Sequence, residues 1–142
     1  MNYDNILKNL KIQTNDKINP EFKIENCKTH IFLHFWATWC GPCRNELPEL
    51  QKIYDIYKEK VDFILISCDD SKLDIDTYVF NNKFTFPVGY DLNNNLSNSF
   101  FIRSIPSSFF IKKDVDNTFK VENIIGSMDY DMLDEKFKNF IN

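Results

Sequence analysis

An α/β fold built on a mixed β-sheet flanked by helices is what this sequence predicts, on three observations. Two nearly unbroken apolar runs, residues 31–36 (IFLHFW) and 61–67 (VDFILIS), have the character of central strands covered on both faces. Between and after them, apolar side chains recur at helical spacing. The chain closes with two alternating segments, 108–112 and 119–125, around the polar stretch KDVDNT, and then an amphipathic helix. Strands separated by helices and ending in a hairpin and a helix imply a sheet with parallel and antiparallel parts.

From the N-terminus, residues 6–12 and 18–24 alternate loosely, the second run around Pro20, and predict two short strands paired as a hairpin ahead of the main fold. Residues 31–36 form the first central strand. From 46 to 58, Leu47, Leu50, Ile53, Tyr54 and Tyr57 fall on one helical face, and Pro48 within the run predicts a kink or local break. The second central strand, 61–67, runs into the polar cluster Cys68-Asp69-Asp70-Ser71. A helix over 74–82 turns Ile75, Val79 and Tyr78 inward, and a short helix over 96–102 leads to Ile105-Pro106. The terminal helix, 132–141, buries Leu133, Phe137, Phe140 and Ile141.

A chain of 142 residues fits one domain with a workable core, and an aromatic share of 15%, mostly phenylalanine, predicts a Phe-rich interior. A net charge of −4 with lysines scattered among carboxylates argues against nucleic-acid binding. No stretch approaches the roughly 20 apolar residues of a membrane span, and the first residues lack a signal-peptide core. The chain as written is therefore expected to be soluble and cytoplasmic, or exported or organellar if a leader has been removed. Four cysteines are too few for a disulfide framework at this size, which favours a reducing compartment with one working dithiol.

The most informative stretch is Trp39-Cys40-Gly41-Pro42-Cys43, which sets two thiols at the spacing of a reversible disulfide. With a strand before it and a helix after it, Cys40 falls at the helix N-terminus, where free N–H groups and the macrodipole stabilise a thiolate. Pro42 suits an early helical position, since its missing N–H has no partner to lose there. Cys40 is then the nucleophile, expected to be exposed to a substrate disulfide. Cys43 is the resolving thiol that attacks the mixed disulfide. The same residues also allow a zinc reading through Cys27, His30, His34, Cys40 and Cys43. Yet His30 and His34 share a strand face with Phe32 and Trp36, so a tetrahedral site would need the strand to fold back. No metal is therefore expected.

FLHFWATWCGPCRNELPEL resembles the active-site segment of thioredoxin-fold proteins, and most of all the TlpA-like branch. FTFPVGYD, SIPSSFFI and IIGSMDYDML resemble that branch's later segments, in family order, over nearly all of the chain after residue 30. The resemblance implies a thioredoxin-like fold, with residues 1–28 as an N-terminal extension, 29–142 as the core and a helical insertion within 69–98. It implies that Ile105-Pro106 forms a cis-proline loop facing the dithiol, where the Ile105 backbone pairs with an extended client segment. An ordinary trans proline before a strand is the plain alternative. Trp39, Gly41 and Pro42 would line the client surface, and Gly126 would admit a client backbone or mark a β-bulge. Trp36 would pack around the dithiol, and Arg44 would add positive charge beside it.

Two residues carry paired readings. Glu46, where TlpA-like proteins commonly hold a glutamate near the buried thiol, either shuttles the proton Cys43 must lose or only complements the helix dipole. His34 departs from the aspartate or asparagine usual six residues before the first cysteine. It is either a proton acceptor for Cys43 or a packed neutral core residue. The expected function is thiol–disulfide oxidoreduction, reducing protein disulfides with no cofactor beyond the redox-active Cys40–Cys43 disulfide. The Gly-Pro pair resembles that of reducing thioredoxins. The expected partners are a protein disulfide client and an upstream reductase or low-molecular-weight thiol, acting on a monomer with no nucleic acid. A tryparedoxin-like carrier, a zinc-binding module and a non-catalytic adaptor are the alternatives. A peroxidase would need a proline matched to Thr38, which the sequence lacks.

Overall fold

The computed structural model describes residues 2–142. Its elements are α1 (Asp4–Leu7), β1 (Lys11–Gln13), β2 (Glu21–Lys23), β3 (His30–Trp36), α2 (Gly41–Tyr57), β4 (Val61–Ser67), α3 (Lys72–Asn81), β5 (Val88–Tyr90), α4 (Asn95–Ser99), β6 (Ser107–Lys113), β7 (Phe119–Ile125) and α5 (Tyr130–Ile141). Five strands form one sheet in the order β5-β4-β3-β6-β7. β3, β4 and β5 run parallel, and β6 and β7 antiparallel to them. This is a thioredoxin-like α/β arrangement, with a separate antiparallel hairpin, β1-β2, ahead of it.

β3 is central because every residue from Ile31 to Trp36 is buried, so both its faces are covered. Its alternation divides the interior. Phe32 and Trp36 face α2 and α5 together with Phe63, Phe110, Leu133 and Phe137. Ile31, Leu33 and Phe35 face the N-terminal segment with Leu7, Ile12, Ile64, Ile66, Phe100 and Phe109. α2 and α5 are tied by Tyr57, whose hydroxyl donates to Asp134 Oδ1 at 2.7 Å and whose ring stacks on Phe137 at 5.3 Å between centroids.

The expected hairpin forms but is shorter than its alternation implies. Ile6 lies in a single helical turn, because only Leu7 and Leu10 of that stretch point into the core. α2 starts at Gly41 and passes through Pro48 without a break. Pro48 lies on the exposed face shared with Arg44, so the Arg44 carbonyl left without its i+4 donor is on the water side. Within residues 69–98 the helix expectation misses β5, which joins the edge of the sheet beside β4. Gly89 in β5 is enclosed: a Cβ there would stand 2.8 Å from Ile12 Cγ2, so hairpin and sheet meet closely at this point. No described helix is long and apolar enough to cross a membrane.

Candidate active site

Cys40 and Cys43 are joined as a disulfide across 5.2 Å between Cα atoms. β3 delivers the chain to residues 37–40, and a tight turn closes it with Cys40 N–H donating to Ala37 O at 3.2 Å. Cys40 then serves as the N-cap of α2. Its backbone is extended, and its sulfur accepts the Cys43 N–H at 3.3 Å. A helix N-terminal amide thus points at the sulfur that would carry charge as a thiolate. Contrary to the sequence expectation, Cys40 is not openly exposed: 6% of its surface is accessible, against 0% for Cys43. The cause is Ile105, whose carbonyl oxygen lies 3.7 Å from Cys40 Sγ. Trp39, 68% exposed, stands beside the narrow opening with Gly41 and Pro42. Trp36 is fully buried in the cluster that holds both cysteines.

The loop carrying the dithiol has an anchor that sequence reading missed. Asp69 accepts from Thr38 N–H at 2.8 Å, from the Thr38 hydroxyl at 2.7 Å and from the Ser67 hydroxyl at 2.6 Å. Cys68 N–H adds a bond to Trp36 O at 2.7 Å. The Thr38 hydroxyl is therefore committed to Asp69. The only signal in the sequence was the polar cluster at the end of a buried strand, which gives no hint of its partner 31 residues away.

The Ile105–Pro106 peptide bond is cis. Pro106 O accepts the Gly126 N–H at 2.8 Å, and Gly126 has φ +98°, a conformation that favours glycine. Cys40, Ile105, Pro106 and Gly126 are thereby brought to one end of the sheet. Arg44 does not lie against the sulfurs; its guanidinium sits 5.9 Å from the Tyr78 ring centroid.

Beneath the dithiol, Glu46 and His34 meet. Both side chains are fully enclosed, and His34 Nε2 stands 3.2 Å from Glu46 Oε1. Nδ1 of His34 is 2.9 Å from the Ser108 hydroxyl, and Glu46 Oε2 accepts the Met128 N–H at 2.8 Å. Glu46 follows Cys43 by one helical turn on the same buried face of α2. A carboxylate that merely complemented the helix dipole would be solvated, and this one is 1% exposed. Ser108 and the Met128 amide were not singled out from the sequence, since their relation to His34 and Glu46 exists only across the fold. A cleft of about 490 Å³ reaches Glu46 from outside, with Glu49, Met128, Asp129, Tyr130 and Asp131 on its walls.

The other two cysteines are free. Burial, then the nearby Asp62 carboxylate, pushes the Cys27 thiol up to about 12. Burial, then Asp91, pushes that of Cys68 up to about 12 as well. Among the described residues, no three His, Cys, Asp or Glu side chains converge as a set of metal ligands.

The family model of the AhpC/TSA family matches residues 7–116. The chain is 40% identical over 83 residues to the thiol-disulfide oxidoreductase ResA of Oceanobacillus iheyensis, covering 58% of this chain and 43% of that protein. It is 34% identical over 105 residues to ResA of Bacillus cereus, covering 73% and 59%. The chain thus spans about half the length of these curated relatives. Among solved structures it superposes on StoA from Bacillus subtilis with a TM-score of 0.75 and 26% identity, over 94% of this chain and 96% of that one. A putative thiol:disulfide interchange protein DsbE from Chlorobium tepidum has the same fold, with a TM-score of 0.79 at 20% identity over 94% and 93%.

Proposed function

The chain belongs to the AhpC/TSA family, and on that premise we propose that it is a thiol–disulfide oxidoreductase that reduces protein disulfides through Cys40 and Cys43. The observation that carries this reading is the disulfide itself, set at the N-terminus of α2 with its first sulfur accepting a helix amide and its second sealed beneath. In the reduced protein the same amide favours a Cys40 thiolate, the form that attacks. Cys40 bonds to one sulfur of the client disulfide and the other leaves as a thiolate. Cys43 then loses its proton and attacks Cys40 Sγ, which re-forms the disulfide and releases the second client thiolate. Two electrons pass from the cysteine pair to the client.

An extended client segment fits along Ile105, Pro106 and Gly126, with Trp39, Gly41 and Pro42 beside the scissile bond. Glu46, one turn from Cys43 and without water, is placed to exchange the proton that Cys43 gives up. The electron donor that restores the dithiol is a reductase or a low-molecular-weight thiol.

The test is a redox titration in dithiol and glutathione buffers, following Cys40 and Cys43 by mass, together with turnover of a protein disulfide. A two-electron transition near the roughly −270 mV scale of thioredoxin is expected, with turnover abolished by Cys40→Ser and a mixed disulfide trapped by Cys43→Ser. A transition at or above about −180 mV would reverse the direction to oxidation. Absence of client turnover would remove the activity.

A further inference from the structure

Resting on the dithiol chemistry proposed above, we infer that Ser108, His34 and Glu46 form a buried proton relay that serves Cys43. The inference starts from three groups that have nowhere else to turn. His34 is 0% exposed and Glu46 1%, and neither His34 Nε2 nor Glu46 Oε1 has a protein partner other than the opposing atom at 3.2 Å. An ionised carboxylate beside a neutral imidazole would leave one net charge in this dry interior. Two protons on the pair leave none, and burial strongly favours the arrangement without net charge. The surroundings act in the same sense. The titratable groups on the Glu46 side are Glu49, Asp129, Tyr130 and Asp131 around the cleft, whose carboxylates favour a retained proton. From the facing strands, β4 offers Leu65 and β6 offers Ser108, neither charged. On β3 itself His30 lies at the far end of the same face, edge-on to Phe140 at 4.9 Å.

In the disulfide state the pair therefore holds two protons, one between Glu46 Oε1 and His34 Nε2 and one on His34 Nδ1, donated to the Ser108 hydroxyl. When a donor thiolate attacks Cys40 Sγ, the Cys40–Cys43 bond breaks and its electron pair stays on Cys43 Sγ. The shared proton passes to that sulfur through Glu46. The pair is left with one proton, on Nε2, directed at the Glu46 carboxylate. Nδ1 is then an acceptor, and the Ser108 hydroxyl rotates to donate to it. A hydroxyl serves both states because it donates and accepts equally well. Solvent refills the pair through the cleft that reaches Glu46. During client reduction the same sites run in reverse and take the proton from Cys43. Ser108 is a positioning residue in this scheme.

Two measurements decide the matter. Nitrogen-15 spectra of the oxidised wild type near neutral pH are expected to show a protonated Nδ1 on His34; an unprotonated Nδ1 with a lone Nε2–H would overturn the relay without touching the disulfide. Stopped-flow reduction by dithiothreitol is expected to slow about 100-fold in His34→Asn, at the low end of general acid–base effects. Ser108→Ala is expected to slow it less, and Ser108→Thr to restore it. The wild-type advantage should fade as pH rises and the pair loses its second proton. Equal rates in wild type and His34→Asn, or a deficit that is constant across pH, would leave only a packing role. Loss of client turnover in wild type would instead defeat the oxidoreductase reading.

Discussion

The two sides of the sheet are built from the same strands and have different purposes. On the side of the N-terminal segment, Ile31, Leu33 and Phe35 meet Ile12, Ile64, Ile66, Phe100, Phe109 and Ile111, with no buried charge among them. On the side of α2 and α5, an equally aromatic cluster surrounds Cys43, with His34 and Glu46 enclosed beside it. One residue of alternation on β3 separates Leu33 from His34. The first side stabilises by burying apolar area alone. The second accepts the cost of enclosing ionisable groups and compensates with hydrogen bonds from Ser108 and Met128. Stability and chemistry are thus segregated by the period of two along a strand.

If that segregation is real, damage to the apolar side should cost stability and leave the dithiol's pH behaviour intact. Phe35→Ala removes a fully buried ring that meets Phe100 at 5.5 Å and Phe109 at 5.9 Å. It should destabilise the fold by about 3–5 kcal/mol. Denaturant unfolding measures that loss, and a changed pH profile for disulfide reduction would show the two sides to be coupled. Gly89→Ala sharpens the comparison in the opposite sense by overfilling. Its methyl group would stand 2.8 Å from Ile12 Cγ2, 3.2 Å from Ile66 Cγ1 and 3.3 Å from Ile64 Cγ1. A loss of about 1–3 kcal/mol is expected, with increased hydrogen exchange at the Thr14–Gly89 bridge as its local signature.

Much of this division is legible in the sequence, for identifiable reasons. β4 and β7 are long, uniform runs, and their ends coincide with those read from composition. β5 is three residues long and holds an enclosed glycine, so neither periodicity nor propensity marks it as a strand. The Cys40–Cys43 pair is local, and its spacing alone suggests the disulfide. The Asp69–Thr38 anchor and the His34–Glu46 contact join residues from different elements, and no local pattern encodes such a meeting. His34 stood out only as an unusual residue in a buried strand. Its partner became visible when β3 was laid under α2.

On the α2–α5 side, Tyr57→Phe removes the hydroxyl that donates to Asp134 while keeping the ring stacked on Phe137. Burial, followed by the bond to Asp134, pushes the Tyr57 phenol up to about 12. At neutral pH the phenol is protonated in both folded and unfolded states, so the change should cost only the hydrogen bond, about 1 kcal/mol. A much larger loss in thermal unfolding would mean that the ring itself had moved.

The smallest effect separates the four cysteines by environment. Cys27 and Cys68 pack against the apolar side, whereas Cys40 and Cys43 belong to the other. Both free thiols are pushed up to about 12, chiefly by burial, from an ordinary value near 8.5. At neutral pH almost none of either is thiolate, so iodoacetamide added to the reduced protein should label Cys40 well before Cys27 or Cys68. Mass spectrometry of timed samples measures the order. The linkage has a definite sign. Between roughly pH 8.5 and 12 the folded protein retains protons on these thiols that the unfolded chain releases. Their contribution to stability is therefore complete below that window and is lost as pH rises through it. Replacing both with serine should flatten that part of the stability curve and leave neutral-pH disulfide exchange unchanged. Early labelling of Cys68 at neutral pH would place a reactive thiol on the side assigned to packing.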